Sequence, residues 1–173
     1  MLRNVDSTAW TKAIIEENVL QAGSPKTAIR IARLVRKRLE LMKSDLWHLV
    51  RDETAAIAAH ALLAAAVKHS PLLGDFMDLA LREQYRIFSP AISNQTWDAY
   101  LDGCRARDPD MLAWRESTRK RLRSTVFQII AQAGYIEDTR SRKLQTVRIA
   151  PEVLRYLEQN KEHYVLRCIQ VAP

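Results

Sequence analysis

The residues best able to bind a metal or act as nucleophiles are few and scattered. The histidines and cysteines of the 173-residue chain are His48, His60, His69, His163, Cys104 and Cys168. None of them has the H-x-x-x-H or C-x-x-C spacing that brings two ligands to one metal. The four glycines are isolated, so no glycine-rich loop can hold a phosphate. The sequence therefore predicts no catalytic residue, no metal and no cofactor.

Carboxylates cluster once, at Asp75, Asp78 and Glu83, with the residue types of a cation site. Asp78 stands four residues before Arg82, however, and a pair at this spacing stabilises a helix without any metal. An ion pair within one helix is the better interpretation. His60 lies in an alanine-rich run and is better explained as a core histidine than as a ligand.

Residues 25–42 predict a helix with one cationic face. At 100° per residue the apolar side chains share one side, and they are Ala28, Ile31, Ala32, Val35, Leu39 and Met42. The cations on the opposite side are Lys26, Arg30, Arg33 and Lys37. Solvated helix faces usually mix charges, because opposite charges one turn apart stabilise the helix. The face is therefore a candidate for phosphate contact; the alternative is an ordinary soluble face.

A second cationic region begins in the stretch ESTRKRLRSTVFQIIAQAG, residues 116–134. Its apolar stripe ends at Leu122, and we expect the preceding turns to project beyond the core. Cations at a helix N-terminus are repelled by the positive end of the helix dipole. A bound phosphate would be attracted by the cations and by the dipole, and would offset this repulsion. The polar turn that follows the helix contains further basic residues. The candidate nucleic-acid-binding residues here are Arg115, Arg119, Lys120, Arg123, Arg140, Arg142 and Lys143.

Composition supports a polyanionic partner. The formal net charge is +7, with 27 Lys and Arg against 20 Asp and Glu, and the sequence pI is about 9.7. The excess lies at the two ends of the chain, since residues 61–110 hold five basic and seven acidic residues. A basic protein of this kind has nucleic acid or an anionic surface as its usual partner. No apolar run reaches the length of a membrane span, and two cysteines are too few for a disulfide framework.

The order of elements predicts a mostly α-helical fold. Capping residues followed by proline or an apolar run predict helix starts near Ser24, Ser70 and Ser93, and a short helix after Asp108. After Gly134 the pattern changes to short alternation, which predicts one small β-hairpin between Tyr135 and Ile149. We therefore expect a helical domain over residues 1–107 and a winged-helix-like domain over residues 108–173.

Several longer stretches resemble the BrxA family of the BREX bacteriophage-defence systems. They are LLGDFMDLALREQYRIFSP, RARDP, ESTRKRLRSTVFQIIAQAGYIEDTRSRKLQ and IAPEVLRYL. The resemblance runs from about Asn18 to Leu157. It implies a small, mostly helical, cytoplasmic accessory protein without a catalytic motif, in a family associated with double-stranded DNA and earlier likened to an RNA-binding antitermination factor. It transfers no active site.

The combined interpretation is a non-catalytic DNA-binding accessory protein that holds double-stranded DNA mainly through backbone phosphates. Other BREX proteins are expected as further partners, no membrane is expected, and the sequence leaves the oligomeric state open. The alternatives are RNA binding and a protein–protein adaptor whose basic faces meet acidic partners.

Overall fold

The computed structural model describes residues 7–171, and within them the chain is helical. The ten α-helices are α1 Ser7–Thr11, α2 Pro25–Glu40, α3 Ser44–Asp52, α4 Ala55–His69, α5 Pro71–Asp75, α6 Arg82–Arg86, α7 Asn94–Arg107, α8 Glu116–Gln132, α9 Pro151–Gln159 and α10 His163–Ile169. Two π-helical segments continue α1 and α5, at Lys12–Glu16 and Phe76–Leu81. The predicted mostly helical class is confirmed.

Contacts divide the chain into two compact units, with the boundary between Lys43 and Ser44. The first unit contains α1 and α2, and its small core is formed by Ile14, Ala28 and Ala32. The second contains α3 to α10. This division falls elsewhere than the boundary predicted after residue 107, which stays a prediction.

Side-chain caps fix several helix starts where the sequence predicts them. The Ser24 hydroxyl accepts the backbone N–H of Thr27, with proline next in the chain. Ser93 and Thr96 form a reciprocal capping box at the start of α7. Such caps satisfy N–H groups that the first helical turn leaves unpaired. The short helix predicted after Asp108 is wrong, because residues 108–115 form turns and irregular backbone.

An aromatic cluster holds α7 and α8 in the core of the second unit. The Phe76 ring centroid lies 5.4 Å from that of Trp97, 5.4 Å from that of Tyr100 and 6.1 Å from that of Phe127. Phe76 and Trp97 have no exposed surface. Tilted and edge-on aromatic pairs add to the stability that burial of their area gives. The cluster fixes α8, which carries the predicted site residues Arg119, Lys120 and Arg123, against α7.

The predicted winged-helix-like part with its small β-hairpin is wrong. No β-strand is present between residues 7 and 171; the segment forms only isolated antiparallel bridges, at Ile136 with Leu144 and at Ala91 with Lys143. Alternation after Gly134 indicated extended backbone, but it could not show which partner that backbone would take.

The reason lies in the residues around Arg142. Arg142 lies in the turn with a φ of 52°, and among the described residues only two hairpin-type hydrogen bonds follow it, from the Glu137 backbone N–H to the Lys143 carbonyl at 2.9 Å and from the Gln145 backbone N–H to the Tyr135 carbonyl at 3.0 Å. The backbone N–H of Leu144 donates to the Pro90 carbonyl at 3.0 Å, and that of Ile92 donates to the Arg142 carbonyl at 3.1 Å. Residues 142–145 thus divide their backbone hydrogen bonds between residues 90–92 and residues 135–137. Neither pairing is long enough to form a β-ladder.

No single described helix is long and apolar enough to cross a bilayer. Ala55–His69 and Pro71–Arg86 meet that test only when taken together, and the chain bends by 111° between them.

Candidate nucleic-acid interface

The four cations predicted on α2 share an exposed face. Lys26, Arg30, Arg33 and Lys37 are all exposed. Within residues 7–171 none of the four side chains has a hydrogen bond or an ion pair. The stripe runs from the first turn of α2 to the last, and four full charges are available to an anionic partner.

The cations beside this face differ from it. Arg36 Nε lies 2.8 Å from Glu40 Oε1, one helical turn away, which neutralises it. Arg38 is half-buried, and burial lowers the pKa of its guanidinium. On the opposite side Ala28, Ala32 and Leu39 are buried, so the predicted division of α2 into a core face and a cationic face is confirmed.

The first turns of α8 do not project freely, contrary to the prediction. The side chains of Arg119 and Arg123 are only 19% and 16% exposed and lie against α7. Arg119 Nη2 lies 3.3 Å from Asp98 Oδ1, and Arg123 Nη1 lies 3.8 Å from Asp98 Oδ2. Asp102 is a second carboxylate near Arg119, with its Oδ1 3.7 Å from Arg119 Nη2. Acidic residues of α7 cover this side of α8, which the apolar pattern of α8 alone could not reveal.

Other predicted cations on α8 are open to solvent. Arg115 precedes the helix and is exposed, with no side-chain partner among residues 7–171. Lys120 is 62% exposed, and its ammonium lies 3.8 Å from Glu116. An ion pair this exposed contributes little stability and leaves the ammonium available to other anions.

The turn after α8 presents Arg140 and Lys143 on its outer side. Both are exposed, and Lys143 Nζ lies 3.8 Å from Glu137. The Asp138 carboxylate closes the turn by accepting backbone N–H groups of Ser141 at 2.7 Å and Arg140 at 2.5 Å. These hydrogen bonds lower the pKa of Asp138, since they favour its ionised form.

Arg142 is held in place rather than free. Its Nη1 donates to Asn94 Oδ1 at 2.7 Å, and its Nε donates to the Thr139 carbonyl at 3.1 Å. The guanidinium carbon lies 5.3 Å from the centre of the Phe127 ring, a cation–π contact. The side chain is thus fixed by α7, α8 and its own turn.

Arg123 and Arg142, distant in sequence, line one cavity of about 410 Å³. We call it the α7–α8 pocket; its other lining residues are Asn94, Ser124, Phe127, Gln128 and Thr139. The sequence prediction missed the polar members. Helical periodicity places Ser124 and Gln128 on the side of α8 away from its apolar stripe, so this signal was available. No sequence pattern predicts the contact between Asn94 and Arg142.

Asp78 and His60, the other polar residues considered from the sequence, make contacts within the fold. Asp78 Oδ1 lies 2.9 Å from Arg82 Nη2, and Asp78 Oδ2 lies 2.9 Å from Arg167 Nε, so the ion-pair interpretation of this cluster is confirmed. His60 Nδ1 accepts the backbone N–H of Ala150 at 3.2 Å, and burial lowers the pKa of its imidazole. Within residues 7–171 no three His, Cys, Asp or Glu side chains are grouped as a metal site.

The profile of the BrxA family matches residues 1–161 of the chain. The chain belongs to the BrxA family. A BREX protein BrxA of Paramagnetospirillum magneticum (strain ATCC 700264 / AMB-1) is 48% identical over 172 residues, covering 99% of this chain and 86% of that protein. A BREX protein BrxA of Escherichia coli O9:H4 (strain HS) is 27% identical over 159 residues, covering 92% and 75%.

A solved structure has a similar fold and sequence. The crystal structure of an uncharacterized protein from Magnetospirillum magneticum aligns with a TM-score of 0.85 and 46% identity, covering 99% of this chain and 87% of that one. The family resemblance seen in the sequence is confirmed, and membership of the BrxA family of BREX defence systems with it.

Proposed function

We propose that this BrxA-family protein is a non-catalytic DNA-binding accessory protein of a BREX phage-defence system. It acts in the cytoplasm and contacts double-stranded DNA mainly through backbone phosphates. Other BREX proteins are its further partners. Binding of this kind needs exposed cations rather than a reaction centre, because phosphate contacts supply most of the affinity of non-specific complexes.

The observation that carries the proposal is the α2 face formed by Lys26, Arg30, Arg33 and Lys37. Exposed cations normally gain from a nearby carboxylate, and these four have none among the described residues. With a rise of about 1.5 Å per residue, the stripe extends for about 17 Å along the helix. Phosphates follow each DNA strand at intervals of several ångströms, so a stripe of this length can meet more than one of them.

The second unit offers a separate cationic surface. Arg115, Lys120, Arg140 and Lys143 are exposed on α8 and the turn that follows it. Two of the four have ion pairs, Lys120 with Glu116 and Lys143 with Glu137, each at 3.8 Å. Weak pairs of this kind exchange readily for a phosphate, because solvent screens them in the free protein.

Titration of the protein with length-matched duplex DNA, single-stranded DNA and structured RNA at several salt concentrations tests the proposal. We expect duplex DNA to bind most tightly, with an affinity that falls by about 0.9 logarithmic unit per logarithmic unit of salt for each phosphate neutralised. Preference for RNA at every salt concentration would replace DNA by RNA as the partner. Absence of binding to all three would support the adaptor alternative.

A further inference from the structure

The α7–α8 pocket has the lining of an anion site. Its two charged residues are Arg123 and Arg142, its other polar residues carry hydroxyl or carboxamide groups, and no carboxylate is among its described lining residues. Guanidinium and amide N–H groups are among the donors that bind phosphate oxygens in proteins, whereas the Ser124 hydroxyl already donates to the Lys120 carbonyl at 3.0 Å.

Arg142 is arranged for such a ligand in advance. A guanidinium has five N–H donors; the Nε donor and one Nη1 donor are used, by Thr139 and Asn94, so three are left for a ligand. The backbone at Arg142 is left-handed, with a φ of 52°, a conformation that residues other than glycine rarely adopt. A side chain fixed before binding loses less conformational entropy when the ligand arrives.

Two carboxylates near the pocket are already engaged. Asp98 is shared between Arg119 and Arg123, and Asp102 also faces Arg119, so these four groups are neutral together and the positive charge of the pocket comes from Arg142. Asp138 accepts the backbone N–H groups of its own turn. Neither residue lines the pocket.

We propose that the α7–α8 pocket binds a single backbone phosphate of the nucleic acid, and that Asn94 is the positioning residue for Arg142. This rests on the proposed function and adds to it one defined site, with a ligand contact made by Arg142 and an orienting contact made by Asn94.

The test compares Arg142→Gly with Lys161→Gly. Both remove one cation, and both place glycine at a left-handed position, because Lys161 has a φ of 55°. Lys161 is exposed and lies outside the proposed surfaces. We expect Arg142→Gly to flatten the salt dependence of duplex binding by about 0.9 unit and to weaken binding about eightfold at 0.1 M salt, as one lost phosphate contact requires. Lys161→Gly should change neither. Equal slopes in wild type and Arg142→Gly would overturn the proposal.

Asn94→Ala tests the orienting contact. We expect Asn94→Ala alone to weaken duplex binding. In a protein that already carries Arg142→Gly, it should cause no further loss of affinity, because Asn94 acts through Arg142. The Arg142 Nε–H signal in nitrogen NMR spectra should also exchange faster with water in Asn94→Ala. Additive losses would show that Asn94 acts independently and would overturn its assigned role.

Failure of the wild-type protein to bind duplex DNA would refute the proposed function. Inorganic phosphate then tests separately whether the pocket binds an anion. Titration with inorganic phosphate should shift the Arg142 Nε–H signal in a saturable manner. An Arg142 signal that does not respond to phosphate would overturn the pocket proposal as well.

Discussion

Asp98 is the carboxylate whose removal separates stability from nucleic-acid binding. It faces Arg119 at 3.3 Å and Arg123 at 3.8 Å, and both arginine side chains are less than one-fifth exposed. Asp98→Asn leaves these two charges without the carboxylate that they share. Breaking a buried pair costs about 3–5 kcal/mol, whereas exposed pairs contribute about 0–1 kcal/mol. Asp98 itself is 42% exposed, so we expect a loss of about 1–2 kcal/mol between these limits.

The same change should strengthen binding to duplex DNA. Arg119 and Arg123 would each be released from Asp98, although Asp102 stays 3.7 Å from Arg119. We expect the salt dependence to steepen by about one unit, as one additional phosphate contact would produce. A general loss of structure would weaken binding, so the opposite signs of the two effects are diagnostic.

Urea and thermal denaturation measure the first effect, and fluorescence anisotropy with a labelled duplex measures the second. The expected fall in melting temperature is about 2–8 °C, at about 2–4 °C per kcal/mol for a chain of this size. Glu158→Gln is the control, because it removes one exposed carboxylate from α9 without touching either arginine. Unchanged stability in Asp98→Asn, or a loss of both stability and affinity, would refute this account of Asp98.

Three further predictions concern the fold. Leu39→Ala should lower the free energy of unfolding by about 2–4 kcal/mol because Leu39 is buried, whereas Arg33→Gln at an exposed position should change it by less than about 0.5 kcal/mol; equal losses in urea denaturation would contradict the division of α2. Gly134→Ala should cost about 1–2 kcal/mol, because Gly134 ends α8 with a φ of 86°, and an unchanged denaturation midpoint would contradict this. Burial lowers the pKa of His60 below its usual 6.5, so the folded protein binds fewer protons than the unfolded chain and stability should fall as the pH drops through 6.5; His60→Gln should weaken this dependence in denaturation curves between pH 5 and 8.

Local signals were sufficient for much of the helical structure. The caps at Ser24 and Ser93, the two faces of α2 and the end of α8 at Gly134 each depend on residues within a turn or two of one another. Local preference and burial favour the same conformation at these positions, so the sequence pattern predicts them.

Tertiary neighbours decided the features that were missed. Arg119 looked free because its partners, Asp98 and Asp102, lie on α7. Leu144 looked like part of a hairpin strand, but its backbone N–H donates to Pro90. The link between Asn94 and Arg142 joins residues 48 positions apart. Neither periodicity nor residue spacing carries information about such long-range contacts.

The central claim is that exposed cations without carboxylate partners hold duplex phosphates, and replacement of the α2 face tests it most directly. The test variant changes Lys26, Arg30, Arg33 and Lys37 to glutamine, which retains helix propensity. The control changes four exposed cations elsewhere to glutamine, namely Lys12, Arg148, Arg155 and Lys161. Both variants lose four charges, so net charge alone cannot separate them. We expect the salt dependence of duplex binding to flatten by about two to four units in the α2 variant and by less than about one unit in the control. Equal slopes in two folded variants would contradict it.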